Sequence, residues 1–153
     1  MPLLIGADPE FFLRDEKERK YVSAHDIIPG SKVKPFELPN DLGFVHPDGT
    51  AVEFAIKPAE NAEVFSRRIQ GVLDYLRVYI DSRYSFYIKP KVTYNRAYYN
   101  NLPSSVKRLG CSADYANGKI RGPFQIPSPY CFSGGHVHVG WTENKDVEDP
   151  DRS

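Results

Sequence analysis

The chain has 153 residues, 20 basic side chains against 20 acidic ones, and a formal net charge of zero. This length suffices for one core that hides roughly 70% of the unfolded surface, and the balanced charge removes the electrostatic case for a duplex nucleic-acid or anionic-membrane partner. Ten Tyr, nine Phe and 13 Pro favour strands and loops over a helical bundle.

The start, Met1-Pro2-Leu3-Leu4-Ile5, has no basic n-region and too short an apolar run for a signal peptide, and no stretch approaches membrane-spanning length; a cytoplasmic location is the expectation. Residues 9–14 read as a strand, the charged run Asp15-Glu16-Lys17-Glu18-Arg19 as an exposed turn, and Tyr21 to Ala24 as the returning strand. His25 to Leu42, rich in Pro, Gly and Lys, reads as a long loop. Gly43 to His46, the turn Pro47-Asp48-Gly49, and Thr50 to Ile56 form a second hairpin. In its second strand Val52, Phe54 and Ile56 share one face, leaving Glu53 on the other with open space between Ala51 and Ala55. From Asn61, a plausible N-cap, to Arg83 the apolar residues Phe65, Ile69, Val72, Leu73, Leu76 and Ile80 recur at helical spacing, with Arg67, Arg68, Asp74 and Arg77 on the solvated side. Ser85 to Tyr94 reads as an edge strand around Pro90. Cys111 and Cys131 lack C-x-x-C spacing and read as free thiols. His136 to Trp141 is the last strand, and 143–153 is a polar tail or a cut connection.

Metal-loving side chains gather at the two ends. In an extended chain Asp8 and Glu10 point one way while Phe11 and Leu13 point the other, and His136 and His138 share a face with Val137 and Val139 buried behind it. Asp8, Glu10, Glu53 and His136 thus have the donor types for a hard divalent cation, with the imidazole shifting preference toward Mn²⁺ or Zn²⁺. The plainer readings are an acidic cap at a strand start, an exposed glutamate and hydrogen-bonded histidines. Ser133 has no G-x-S-x-G elbow around it, and no G-x-x-x-x-G-K-[ST] loop is present.

Three segments in order, Gly6 to Leu13, Asp48 to Phe54 and Ser133 to Gly140, resemble the glutamine-synthetase-like carboxylate-amine ligases, most closely the phage-type branch called COOH-NH2 ligase type 2. The resemblance implies an α+β fold with a curved, mainly antiparallel sheet, a ligand-bearing concave face and helices packed behind. It implies that Asp8 and Glu10 are ligands of two different metals, that Glu53 and His136 are further metal ligands, and that His138 lies near the nucleotide phosphates. Glu10, Glu53 and His138 would be the catalytic groups, and Arg121 a candidate for anchoring nucleotide or substrate. ATP and Mg²⁺ or Mn²⁺ are the implied cofactors, with small-molecule or peptide carboxylates and amines as substrates, in a host cytoplasm if the gene belongs to a phage. Gly110 to Tyr115 also looks like a family segment. Family members continue past the His-x-His strand, so residues 1–142 are expected to be the N-terminal part of a catalytic domain, from a truncated product, a split gene completed by another chain, or a degenerate relative; a homo-oligomer is the other partner expectation. Two alternatives remain: an inactive relative acting as a binding or structural protein, and a metal-dependent hydrolase or zinc protein using His136, His138 and Glu53.

Overall fold

The computed structural model describes residues 2–107 and 129–141, with the backbone of 114–116 and 119–121. Every strand pairing among them is antiparallel, and the helices are few, giving a mixed α+β architecture of open sheets.

Strands β1 (Leu3–Ala7) and β2 (Glu10–Asp15) are one extended run interrupted at Asp8 and Pro9. Pro9 has no N–H to give a ladder. Its carbonyl accepts from the Phe54 N–H at 3.1 Å, while the N–H groups of Asp8 and Glu10 donate the other way, to His136 at 3.1 Å and Gly134 at 3.0 Å. The break therefore lies between two neighbouring segments. β3 (Lys20–Val22) and β7 (Tyr84–Tyr87) flank the second half of β2, both pairing with residues Leu13 to Asp15 and hence on opposite edges. β6 (Ala51–Ile56) pairs with the start of β2, β5 (Gly43–Asp48) with β6, and β4 (Phe36–Glu37) with β5, completing a six-stranded sheet. The β5–β6 loop is Gly49-Thr50, with Gly49 at φ 57°, the pattern of a hairpin that needs Gly at its first loop position.

Alternation sorts this sheet into two faces. Phe11, Leu13, Val45, Val52, Phe54 and Ile56 bury one face against α1 (Ala62–Tyr79), whose Val72 and Leu76 are fully enclosed. Asn61 caps α1, its side-chain oxygen accepting from the Val64 N–H at 2.9 Å. The other face carries Phe12 and Ala51 under a second cluster built from β8 (Lys91–Thr93), the short helix α2 (Arg96–Asn100) and the turn after it. β8 pairs with β11 (Tyr130–Phe132), and β12 (Val137–Trp141) pairs with β1. The remaining strands, β9 (Asp114–Ala116) and β10 (Lys119–Arg121), form a small hairpin.

Several expectations are corrected. Residues 25–42 are not a structureless loop: they hold a 3₁₀ turn (Ala24–Asp26) and β4, with Ile28 and Leu38 buried in the core. Asp15 ends a strand with only 3% of its surface exposed, because Arg83 Nη2 reaches its Oδ2 at 2.6 Å. The helix stops at Tyr79 instead of Arg83, since Ile80 turns extended and Asp81 starts the turn into β7. Arg68 is not on the solvated side; its guanidinium bonds the carbonyls of Lys57 and Pro58 and ties the helix to the end of β6. The single edge strand around Pro90 is two strands in different sheets. Packing only behind the ligand-bearing face is also incomplete as a description, because α2 covers part of the same face as Glu10 and Glu53. Cys131 is a free thiol, its pKa raised by burial, while Cys111 and residues 143–153 lie outside the described residues.

Candidate metal centre

Residues directly opposite in an antiparallel pair share a face, with Cβ atoms about 4.5–5.5 Å apart. Glu10 on β2 is opposite Glu53 on β6, and Glu53 is opposite His46 on β5. Asp48, two residues beyond His46, ends β5 on that same face. One carboxylate oxygen from each of Glu10, Asp48 and Glu53 lies within 4.8 Å of the other two. The open space expected around Glu53 is thus occupied, by His46 and Asp48 from the neighbouring strand.

Burial and nearby like charge both disfavour the ionised form of a carboxyl group. Burial, then the Asp48 carboxyl beside it, then the charges of Glu10 and Asp8 push the Glu53 pKa up from the usual 4.5 to about 8. Lys32 Nζ stands 3.7 Å from Asp48 Oδ2 and His46 Nε2 stands 3.7 Å from Glu53 Oε2. Glu53 Oε2 is buried with no hydrogen-bond partner, which costs about 1–3 kcal/mol for an ordinary polar group and more for a charged one. An orphaned carboxylate oxygen facing two further carboxylates is the donor set of a divalent cation, all oxygen and partly shielded from water, so the residues fit such an ion.

A second constellation sits where β1 gives way to β2. Asp8 Oδ1 accepts from the His136 N–H at 2.8 Å, and Glu10 Oε2 from the Gly134 N–H at 2.8 Å. Each carboxylate therefore grips the strand approach that its own N–H also bonds. Gly135 fits between them because a Cβ there would sit 3.1 Å from Pro9 Cα. His138 Nε2 lies 3.2 Å from Asp8 Oδ2 and His136 Nδ1 lies 3.4 Å from Asp8 Oδ1, with both imidazoles exposed. The two histidines do share a face, their rings 6.3 Å apart. Val137 and Val139, expected behind them, are 64% and 61% exposed, because β12 pairs only with β1 among the described residues and α1 packs over β2, β5 and β6 instead.

Of the sequence-nominated residues, Glu10 and Glu53 come together directly, Asp8 joins His136 and His138, and Glu10 links the two groups through Gly134. His136 is paired with Asp8, not with Glu53. The side chain of Arg121 and the segment 110–113 lie outside the described residues. Sequence reasoning missed Asp48 and His46. The Pro47-Asp48-Gly49 pattern marks Asp48 as a turn residue; with Gly49-Thr50 as the loop it belongs to the strand, and period two then sets His46 and Asp48 on the Glu53 face. No protein-family model, curated protein or solved structure matches the chain.

Proposed function

We propose that the protein is an ATP-dependent carboxylate-amine ligase whose divalent cation, Mg²⁺ or Mn²⁺, is held by Glu10, Asp48 and Glu53, with Asp8, His136 and His138 beside it toward the nucleotide. The observation that carries this reading is the unpartnered Glu53 oxygen in a three-carboxylate cluster, set within segments that resemble the amidoligase motifs. In such a reaction the substrate carboxylate attacks the γ-phosphorus and ADP leaves. The amine nitrogen then attacks the acyl phosphate, inorganic phosphate leaves, and the ammonium proton passes to solvent or a base. A bound cation supplies charge neutralisation for the phosphates. The protein's share is positional: strands β2, β5 and β6 fix the carboxylates on a rigid ladder, and the Gly134-to-His138 segment is held against Asp8 and Glu10, so little reorganisation remains when charge develops.

The test is ADP release with a panel of carboxylic acids and amines, with and without Mg²⁺ or Mn²⁺, and mass-spectrometric detection of the amide. Metal-dependent ADP and amide formation is expected, and Glu53→Gln should lower it by about 100-fold, a typical loss for an electrostatic group of this kind. Absence of both nucleotide and divalent-cation affinity would remove the proposal. One observation favours a second reading: Asp8 gathers both imidazoles, a two-histidine, one-carboxylate set suited to zinc. Stoichiometric zinc with no nucleotide affinity would select a metal-dependent hydrolase instead. No described helix is long and apolar enough to cross a membrane, and a cytoplasmic enzyme acting on small-molecule or peptide substrates is the setting proposed here.

A further inference from the structure

Charge is unevenly spread along this neutral chain. From Tyr84 to Lys107 there are four basic side chains, Lys89, Lys91, Arg96 and Lys107, and no carboxylate; residues 129–141 also lack a carboxylate. These stretches supply most of the layer above Phe12 and Ala51. On the α1 side Lys57 pairs with Asp41, Arg67 with Glu63 and Arg77 with Asp74, whereas none of the four forms an ion pair among the described residues. Instead Lys89 Nζ stands 4.7 Å from the centre of the Tyr87 ring, and Lys91 Nζ stands 4.7 Å from that of Tyr130 and 5.9 Å from that of Phe132. A ring face steadies an ammonium without neutralising it, so both charges remain available to an anion. Beside them Ile88 and Phe132 are each 71% exposed. The strip leads into the candidate metal centre. Lys91 is opposite Phe132 in the β8–β11 pair, Ser133 Oγ donates to the Lys89 carbonyl at 2.8 Å, and the N–H of Gly134 donates to Glu10 Oε2. Phe132 and Gly134, two residues apart, are separated by at most about 7 Å.

We infer that this strip is a docking surface for an acidic peptide, whose carboxylates pair with Lys89 and Lys91 and whose apolar side chains lie on Ile88 and Phe132. Charge complementarity sets the sign of the partner, since cations that meet no carboxylate, set beside apolar side chains, match an acidic chain with some apolar residues. The rings decide for a peptide over a single-stranded nucleic acid. Single strands stack successive bases on aromatic faces, whereas here the lysines themselves lie over Tyr87, Tyr130 and Phe132. In the ligase reading, on which this last step rests, the docked peptide is the carboxylate substrate. With acidic side chains on the lysines it lies within reach of Glu10, and a further carboxyl group of the same peptide enters the cation site.

The experiment follows, by fluorescence anisotropy with the full-length protein, a short labelled peptide of glutamate and leucine, its glutamine-for-glutamate counterpart, and an oligodeoxythymidylate of equal charge. Titrations run at low and at physiological salt, with and without Mn²⁺. The acidic peptide should bind, and its neutral counterpart should bind about tenfold more weakly or worse. Lys89→Glu/Lys91→Glu should weaken the acidic peptide by about tenfold or more, and Phe132→Ala should weaken it several-fold with the salt dependence unchanged. Lys57→Glu/Arg67→Glu, the same change of net charge on the α1 side, should stay within about twofold. Equal losses in the two double variants would show that net charge alone is felt, and would overturn the inference. So would equal affinity for the two peptides, or a thymidylate that binds more tightly than the acidic peptide and depends on the same lysines. Lys89 and Lys91 are both exposed; should their reversal nonetheless disturb folding, the wild-type comparison of the three probes decides. Failure of the ligase reading looks different: the peptide then docks with the same dependence on Lys89 and Lys91, while the protein has neither nucleotide nor divalent-cation affinity.

Discussion

Glu53 and Asp15 show how the same residue class is turned to opposite ends by its neighbours. Glu53, among carboxylates, has its pKa raised from 4.5 to about 8. Between those values the unfolded chain has released a proton that the folded chain retains, so folding stability falls as pH rises through that window and then levels off. In chelator, the melting temperature of the wild type should drop from mildly acidic to mildly alkaline pH by more than that of Glu53→Gln, and added Mn²⁺ should close the gap; parallel curves would show that the cluster is relaxed without a cation. Asp15 is the reverse case. The Arg83 guanidinium, first, and the N–H groups of Glu18 and Lys17 hold its carboxyl below the usual 3.8. Its stabilising effect is fully present above the ordinary aspartate value and is lost as pH falls through the lowered one. Denaturant midpoints should therefore separate wild type from Asp15→Asn at neutral pH and converge in strong acid, where both carry an uncharged side chain. A constant separation at all pH values would mean that packing, not charge, is what Asp15 supplies.

At the scale of elements, α1 offers a matched pair of substitutions. Leu76 is fully buried against the sheet and Val78, two residues on, is 88% exposed. Leu76→Ala should cost about 2–5 kcal/mol in chemical denaturation, and Val78→Ala should stay within about 0.5 kcal/mol; comparable effects would place the helix on the wrong face. That stripe was legible because 3.6-residue periodicity is a local property, as were the two hairpins and the one-sided alternation around Glu10 and Glu53. What escaped was set by partners distant in sequence. Asp15 looked like a solvated turn residue because nothing near it announces Arg83, 68 residues away. Phe36 and Glu37 have no strand signal of their own and extend only because β5 offers an edge. Pro90 has the local pattern of an edge strand but divides two strands that join different sheets. The same logic covers the site: Glu10 and Glu53 stood out as carboxylates on apolar strands, whereas His46 and Asp48 acquire meaning only once the β5–β6 register is fixed.

Across the whole molecule, order is unevenly distributed, and the candidate site straddles the boundary. Strand β2 is paired along both edges and walled by Phe11, Phe12 and Leu13, all essentially inaccessible, with α1 on one side and the α2 cluster on the other. Strand β12 has every residue exposed and, among the described residues, one ladder partner, β1. Local opening free energy follows buried apolar contact and the number of protected backbone bonds, so amide hydrogens in β2 and β6 should exchange slowest and those of β12 orders of magnitude faster. Asp8 and Glu10 are the hinge between these regimes, because their carboxylates bond the N–H groups of His136 and Gly134 that lead into β12. Removing both acceptors, as in Asp8→Ala/Glu10→Ala, should accelerate exchange at the His136 and Gly134 amides and along β12 while leaving Phe12 and Leu13 in β2 protected. Exchange measured by NMR or mass spectrometry resolves the two regions separately. If β12 is already as protected as β2 in the wild type, or if the double variant releases both together, then the arm bearing the histidines is part of the rigid core and the carboxylates do not govern its attachment.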